Sequence, residues 1–111
     1  MNVYLAGPMR GYPEFNFPAF HAAAARLRLA AIEVSSPAEH DVQGGFDPTG
    51  SDEDFDLRAA LRWDLEQVMA VEMVVVLPGW EKSKGAKAEV ALAEALGTPV
   101  YTLAAILELS R

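Results

Sequence analysis

The sequence predicts a three-layer α/β fold, in which helices cover both faces of a parallel β-sheet. Short apolar runs of strand length alternate along the chain with longer amphipathic stretches, which is the pattern of βαβ units. The 111 residues are 51% hydrophobic and 23% charged, so they suit one packed domain over residues 1–111 better than a disordered chain.

The first half of the chain contributes two predicted strands. Residues 3–6 form the first strand, and a helix begins at Asn16, with Pro18 just inside it. Phe20, Ala24 and Leu27 recur at helical spacing in that stretch. A weaker strand follows over residues 31–35. Residues 39–54 are rich in Gly, Asp, Pro and Ser, and they predict a long loop.

The second half is more regular. We expect a helix over residues 54–71, with a buried stripe of Leu57, Leu61, Leu65 and Val68. A strand at 73–77, a helix at 84–96, a strand at 100–103 and a last helix complete the chain. Gly97 supplies the left-handed residue that ends the 84–96 helix.

The connections between strands fix the expected topology. Right-handed crossovers favour a doubly wound, Rossmann- or flavodoxin-like sheet of four strands in the order 2-1-3-4. The order changes direction between strands 1 and 3, so the loops that follow these two strands flank a crevice.

Charge and composition exclude several function classes. A net charge of −7 and a pI near 4.7 disfavour nucleic-acid binding. The chain has no cysteine, and it has no apolar run of membrane-spanning length and no secretory leader pattern, so we expect a cytoplasmic protein. His21 and His40 lack partners at metal-binding spacing, and the acidic run at 51–54 predicts a solvated lid tip. Neither a metal nor a cofactor is expected.

The loop after the first strand has the composition of an anion-binding turn. Its residues are Gly7, Pro8, Met9, Arg10 and Gly11. Two glycines beside an arginine can present backbone N–H groups and a positive charge to an anion. A tight turn is the structural alternative for the glycines, and a surface ion pair is the alternative for Arg10.

The segment after the third strand carries a carboxylate near a helix start. Gly85 and Glu89 have the spacing Gly-x-x-x-Glu, and the helix N-terminus favours an ionised carboxylate of the kind that a nucleophile requires. Glu89 could instead serve only to stabilise the helix dipole. Facing loops of these two kinds predict a site for a small, phosphorylated ligand.

Four motifs in order resemble the nucleoside 2-deoxyribosyltransferase superfamily: residues 4–11, 62–64, 77–80 and 83–89. The resemblance covers nearly the whole chain. It is strongest to a branch of small, often phage-borne proteins, and it extends to the deoxynucleoside 5′-monophosphate N-glycosidases.

The resemblance implies two catalytic residues. Glu89 matches the glutamate that attacks the anomeric carbon of the sugar, and Asp64 matches an aspartate that contacts the base or leaving group. Cleavage of an N-glycosidic bond needs one carboxylate at C1′ and one proton for the departing base. Hydrolysis and base transfer both remain open, because the sequence does not decide which acceptor takes the sugar. A solvated helix carboxylate is the alternative for Asp64.

The resemblance also implies the substrate-binding residues. The Tyr-x-x-Gly segment that begins at Tyr4 holds the sugar, and Arg10, Gly11 and Ser83 match positions that hold the phosphate in monophosphate-specific relatives. Trp80, in a turn beyond a strand, could stack on the base or cap the core. A competing function is a nucleotide-binding sensor without turnover, which would need Arg10 but no carboxylate at C1′.

We further expect a homodimer. The thin core leaves apolar helix surface for a second copy to cover, and members of the resembled family pack in this way. The helix at 54–71 is the expected contact, burying on the order of 1,200–2,000 Å² in total.

Overall fold

Four parallel strands form one sheet in the order β2-β1-β3-β4, as the sequence predicts. The structure, a computed structural model, describes residues 1–50 and 55–109. The elements within these ranges are β1 (Asn2–Ala6), α1 (Phe17–Leu29), β2 (Glu33–Ser35), α2 (Pro37–Gln43), α3 (Leu57–Ala70), β3 (Met73–Val76), α4 (Lys84–Leu96), β4 (Val100–Thr102) and α5 (Leu103–Leu109). Short 3₁₀ turns at Pro13–Asn16 and Trp80–Lys82 follow β1 and β3.

The two central strands end side by side. In the parallel register of β1 and β3, Ala6 is opposite Val76, and the backbone N–H of Leu77 donates to the carbonyl of Ala6 at 2.8 Å. The loops that leave these strands therefore begin at the same point of the sheet edge. This is the crevice position that doubly wound sheets use for ligands.

Alternate residues of β1 point to opposite faces of the sheet. Val3 and Leu5 are fully buried in a core with α1 and α5, whereas Tyr4 and Ala6 are fully buried in a second core with α3 and α4. Each helix pair thus covers one face, and Tyr4 reaches the helical layer that also carries Asp64 and Glu89.

Sequence and structure differ most in the segment predicted as a loop over residues 39–54. Residues up to Gln43 form α2, which begins with Pro37 at its first position and ends at Gly44. Only seven residues long, α2 is too short to show apolar periodicity, although Ala38 is completely buried against the first core. Tertiary packing, and no local pattern, therefore accounts for this helix.

The predicted buried stripe of α3 is wrong at its beginning. Val68 is completely buried and Leu61 and Leu65 are half-buried, but 54% of Leu57 is exposed. The helix begins at Leu57 and not at residue 54, since the Asp56 side chain caps it by accepting from the N–H of Ala59 at 3.0 Å. Its first turn lies beside a cavity, where no sheet residue covers Leu57.

The loop after β1 has an unusual backbone. Glu14, Phe15 and Asn16 all have positive φ, between 52° and 61°, a region that costs non-glycine residues conformational energy. The Asn16 side chain donates to the carbonyl of Pro8 at 3.0 Å, which ties the turn before α1 to the start of the loop. Asn16 precedes α1 as the sequence predicts, but it binds this loop and does not cap the helix with its side chain.

Three predictions concern charge and membranes. The acidic run at 51–54 lies outside the described residues. Among those that the structure describes, no group of three acidic or histidine side chains is arranged to hold a metal ion. No helix in the same residues has both the length and the hydropathy needed to cross a bilayer.

Candidate functional site

A cavity of about 530 Å³ opens where the loops after β1 and β3 meet α2 and α3. It contains eight of the side chains or glycines that the sequence predicts as site residues: Gly7, Pro8, Met9, Arg10, Asp64, Ser83, Gly85 and Glu89. The two segments singled out in the sequence therefore do face each other across one cavity.

A hydrogen bond joins Tyr4 to Glu89, and Glu89 lines this cavity. The Tyr4 hydroxyl donates to Oε2 of Glu89 at 2.7 Å, although the two residues are 85 positions apart. Tyr4 is completely buried and only 5% of Glu89 is exposed. Because Tyr4 is packed in the core with residues of α3 and α4, its hydroxyl holds the Glu89 carboxyl in one orientation.

Asp64 completes what we call the carboxylate cluster (Tyr4, Asp64 and Glu89). Burial raises the pKa of the Glu89 carboxyl well above its ordinary value, and the neighbouring Asp64 carboxyl raises it further. Burial also raises the pKa of Asp64, although its interactions with Glu89 and Tyr4 oppose that shift. Two carboxyls this close cannot both ionise cheaply, so the pair retains a shared proton near neutral pH.

The environment of Glu89 corrects one sequence-based expectation. Position near a helix N-terminus favours an ionised carboxylate, but burial raises the pKa of Glu89 and favours the protonated form. Glu89 lies in the second turn of α4, where it is buried and faces the sheet. The cluster must therefore release or redistribute a proton before Glu89 can act as a nucleophile.

A cationic group (Arg10, Lys82 and Lys84) borders the same cavity. Arg10 and Lys82 lie in the loops after β1 and β3, Lys84 is the first residue of α4, and all three residues are exposed. The guanidinium carbon of Arg10 lies 5.7 Å from the centre of the Phe55 ring, within cation–π distance. In a chain of net charge −7, three cations beside one cavity create a local positive region.

Ser83 and the glycines shape the backbone around the cavity. The Ser83 hydroxyl caps α4 by accepting from the N–H of Ala86 at 3.2 Å, so its own O–H remains able to donate to a ligand. Gly7 permits close strand packing, since a Cβ at this position would lie 2.9 Å from Cβ of Leu77. Gly85 lines the cavity in the first turn of α4, where a Cβ would lie 4.0 Å from the Ser83 hydroxyl oxygen, an ordinary contact distance.

Three predicted site residues do not line this cavity. Tyr4 is completely buried and contacts the cavity-lining Glu89 through its hydrogen bond. Gly11 is exposed, with a φ of 85°, and does not line the cavity. Trp80 lines a second, open cavity of about 850 Å³ between α1 and α5, together with Arg26 and Leu107. Trp80 also packs against the second core, which contains Tyr4, as its alternative role of capping the core requires.

Sequence reasoning missed most of the apolar wall. We name it the phenylalanine cluster (Phe15, Phe17, Phe46 and Phe55), whose neighbouring ring centres lie between 5.1 and 5.8 Å apart. All four rings line the cavity. Local pattern offers no signal for them, because Phe15 sits in a left-handed turn and Phe46 in the segment predicted as a loop.

Asp41 is the other residue that was missed. Its carboxyl lines the cavity, and burial raises its pKa to about 6, with His40 opposing the shift. His40 stacks on Trp63, with ring centres 3.9 Å apart and planes within 8° of parallel. Because Asp41 follows His40 and Asp64 follows Trp63, this stack holds the two aspartates on adjoining helices beside the cavity.

Comparison with known proteins agrees with this architecture. Residues 1–102 match a family described as "Domain of unknown function (DUF4406)". A search of curated proteins finds no significant match.

Among the solved structures that match is a 2-deoxyribosyltransferase from the psychrotolerant bacterium Bacillus psychrosaccharolyticus, described as a biocatalyst for the synthesis of nucleosides. The two are 24% identical with a TM-score of 0.66, over 92% of this chain and 71% of that one. The chain is thus a member of the DUF4406 family, and its fold is nucleoside 2-deoxyribosyltransferase-like.

Proposed function

We propose that this protein cleaves the N-glycosidic bond of a nucleoside 5′-monophosphate, with Glu89 as the nucleophile that attacks C1′ of the sugar. The observation that carries the proposal is the carboxylate cluster: a buried glutamate, held by a tyrosine and coupled to an aspartate, at the base of a cavity bordered by cations. The structural likeness to a 2-deoxyribosyltransferase supports the same chemistry.

The shared proton of the cluster suits this reaction. Glu89 must lose a proton to attack C1′, and the departing base must gain one. If the proton moves from Glu89 to Asp64 when substrate binds, a single transfer generates the nucleophile and the general acid together. The Tyr4 hydroxyl stays bonded to Oε2 of Glu89 and lowers its pKa, which favours the ionised state.

In the bond-breaking step, a Glu89 oxygen forms a bond to C1′ while the C1′–N bond breaks. The electron pair of that bond goes to the base nitrogen, which takes the proton from Asp64. Water or a second base then attacks C1′ and releases Glu89, which gives hydrolysis or base transfer respectively.

The cationic group indicates where the phosphate binds. Arg10, Lys82 and the Ser83 hydroxyl lie on the loops after β1 and β3, next to the first turn of α4. A phosphate there would accept charge-assisted hydrogen bonds and face a helix N-terminus. These contacts favour a 5′-monophosphate over a free nucleoside, and such a substrate makes the cytoplasm the expected location.

A nucleotide sensor without turnover is the competing function. Burying two coupled carboxyl groups costs folding free energy, and a binding module gains nothing from that cost. The cluster therefore favours an enzyme.

Incubation with a panel of ribo- and deoxyribonucleoside monophosphates tests the proposal, with free base quantified by chromatography. We expect base release by the native protein and a loss of roughly a thousandfold or more in Glu89→Gln, whose amide still accepts from Tyr4. Glu94→Gln is the matched control, because Glu94 lies exposed on the same helix. Tight nucleotide binding without release of any base would establish the sensor instead.

We also propose that a second copy covers α3. Leu57 and Met69, at the two ends of this helix, are 54% and 57% exposed. Leu57 also lines the cavity, so a partner packed on α3 would help to close it. Light scattering at micromolar concentration should give the mass of two chains, and the mass of one chain with and without nucleotide would refute the dimer.

A further inference from the structure

Asp41 is the polar group of the cavity that the proposed reaction does not use. Among the described residues, none donates a hydrogen bond to its carboxyl group, whereas Glu89 has Tyr4 as a donor. Asp41 is half-buried and lies close enough to Asp64 for its charge to raise the pKa of that residue. A half-buried carboxyl without a donor gains most from a ligand that supplies one.

The position of Asp41 is fixed by its surroundings. The stacking of His40 on Trp63 holds α2 against α3. On the other side, the backbone N–H of Phe46 donates to the carbonyl of Asp41 at 2.9 Å. Both residues line the cavity. Asp41 therefore needs little reorganisation to meet a ligand.

Aromatic rings and a carboxyl together suit a nucleobase. The phenylalanine cluster offers apolar faces on which a planar base can stack, and the edge of that base then requires hydrogen-bond partners. The cations of the cavity come from the loops after β1 and β3 and from the start of α4, while Asp41 and Asp64 come from α2 and α3. The cavity thus carries one cationic and one acidic region, as a nucleotide with an anionic phosphate and a hydrogen-bond-donating base would require.

We propose that Asp41 selects the base: its carboxylate accepts a hydrogen bond from the exocyclic amino group of the substrate, so that amino-bearing bases bind in preference to their oxo counterparts. This inference rests on the proposed function, because it takes the cavity to be the nucleotide site. An ionised carboxylate can only accept hydrogen bonds, so it pairs with the amino group of cytosine or guanine and is repelled by the carbonyl of uracil.

The ionisation state of Asp41 agrees with an accepting role. Its pKa is raised by burial to about 6, so the group is mostly ionised at neutral pH. The nearby charged and titratable groups are His40, which lowers that pKa, and Asp64, with which it interacts unfavourably.

Two pairs of nucleotides test the amino group. The 2′-deoxy monophosphates of guanine and hypoxanthine differ by the 2-amino group alone, whereas those of cytosine and uracil differ in the 4-amino or 4-oxo group and at N3, which carries a hydrogen only in uracil. We would measure their dissociation constants by calorimetry in the Glu89→Gln protein, so that no base is released during the titration. The amino member of each pair should bind about tenfold more tightly, as a charge-assisted hydrogen bond predicts.

Asp41→Asn, added to Glu89→Gln, should reduce this preference to about twofold or less, since an amide can donate to an oxo group as well as accept from an amino group. Glu66→Gln is the matched control: it removes one negative charge from an exposed position on α3 that does not line the cavity, and it should leave the preference unchanged. Equal affinities within each pair, or a preference that survives Asp41→Asn, would overturn the inference.

These titrations, together with the base-release assay on the native protein, separate this inference from the proposed function. If the preference is found and depends on Asp41 while the native protein releases no base, then base selection stands and cleavage is wrong. If the native protein releases base from both members of each pair equally well, cleavage stands and base selection is wrong. If no nucleotide binds, both are overturned.

Discussion

The carboxylate cluster and the cationic group border one cavity but are built in opposite ways. The cluster is drawn from a strand and two helices; Tyr4 and Glu89 are buried and hydrogen-bonded to each other, and Asp64 is half-buried. The residues of the cationic group are exposed and lie in loops or at the first position of α4. Burial shifts the pKa values of Asp64 and Glu89 strongly. We therefore propose a division of labour, in which the cluster performs chemistry at a fixed point and the exposed groups attract and orient an anion.

This division has an energetic consequence. Desolvated carboxyl groups destabilise the folded chain, and that cost is retained only where the groups are needed. Exposed cations cost little and contribute through charge, which salt screens. The effects of substitutions in the two groups should therefore differ. Substitutions in the cluster should change the reaction rate and the folding stability, whereas substitutions in the cationic group should change the substrate preference.

The largest effect is expected within the cluster, from Asp64→Asn. If Asp64 protonates the leaving base, the amide variant should lose base release by roughly 10²–10⁴-fold while the affinity for substrate changes little. Steady-state measurement of kcat and KM separates the two quantities. The control is Glu66→Gln on the exposed side of α3. An increase in KM with an unchanged kcat would instead place Asp64 among the binding residues.

A smaller effect is expected from the cationic group. Arg10→Ala should reduce the preference for a 5′-monophosphate over the free nucleoside by roughly 10–100-fold, because one charge-assisted contact is lost. The kcat for a bound nucleotide should remain close to native. Arg58→Ala provides the comparison, since Arg58 is an exposed cation of α3 that does not line the cavity. If the native protein binds nucleoside and nucleotide equally, the cationic group has no role in phosphate binding.

The smallest effect concerns stability and pH. The folded-state pKa of Glu89 is raised, so the folded chain binds its proton more strongly than the unfolded chain does. The contribution to stability is complete below the ordinary pKa of a glutamate and is lost as pH rises toward the raised value. Between about pH 5 and pH 8, the free energy of unfolding of the native protein should fall by on the order of 1–3 kcal/mol more than that of Glu89→Gln.

Urea denaturation at the two pH values measures this loss, with Glu94→Gln as the reference for an exposed carboxylate on the same helix. A pH dependence of the same slope in Glu89→Gln and native protein would mean that Glu89 is not protonated in the folded state.

The fold was largely predictable because its signals are local and repeated. The apolar run at 73–77 and the helix Lys84–Leu96 with its Gly97 stop follow directly from periodicity and terminal residues. Helix α2 was not predictable in this way, since tertiary contacts support it, namely the burial of Pro37 and Ala38 and the stacking of His40 on Trp63. The prediction that Leu57 is buried was wrong for the opposite reason. Leu57 continues the apolar pattern beyond the part of α3 that the sheet covers.

The site was predictable where residues lie in recognisable motifs and not where folding assembles it. The motif residues Arg10, Asp64 and Glu89 do meet in one cavity. Asp41 and Phe46 come from the segment interpreted as a loop, so no sequence spacing relates them to that cavity. The protonation of Glu89 was also beyond sequence reasoning, because burial depends on which atoms surround the carboxyl group and not on its place in a helix.

We propose that Glu89 forms a covalent bond to the sugar during the reaction. To test this, the native protein is quenched with acid during turnover of a monophosphate that it cleaves, or of the 2′-fluoro analogue, which slows release of the sugar. The peptides are then mapped by mass spectrometry. We predict a sugar phosphate attached to Glu89, absent from the Glu89→Gln protein. Base release with an unmodified Glu89, or with the sugar attached to another residue, would contradict the account.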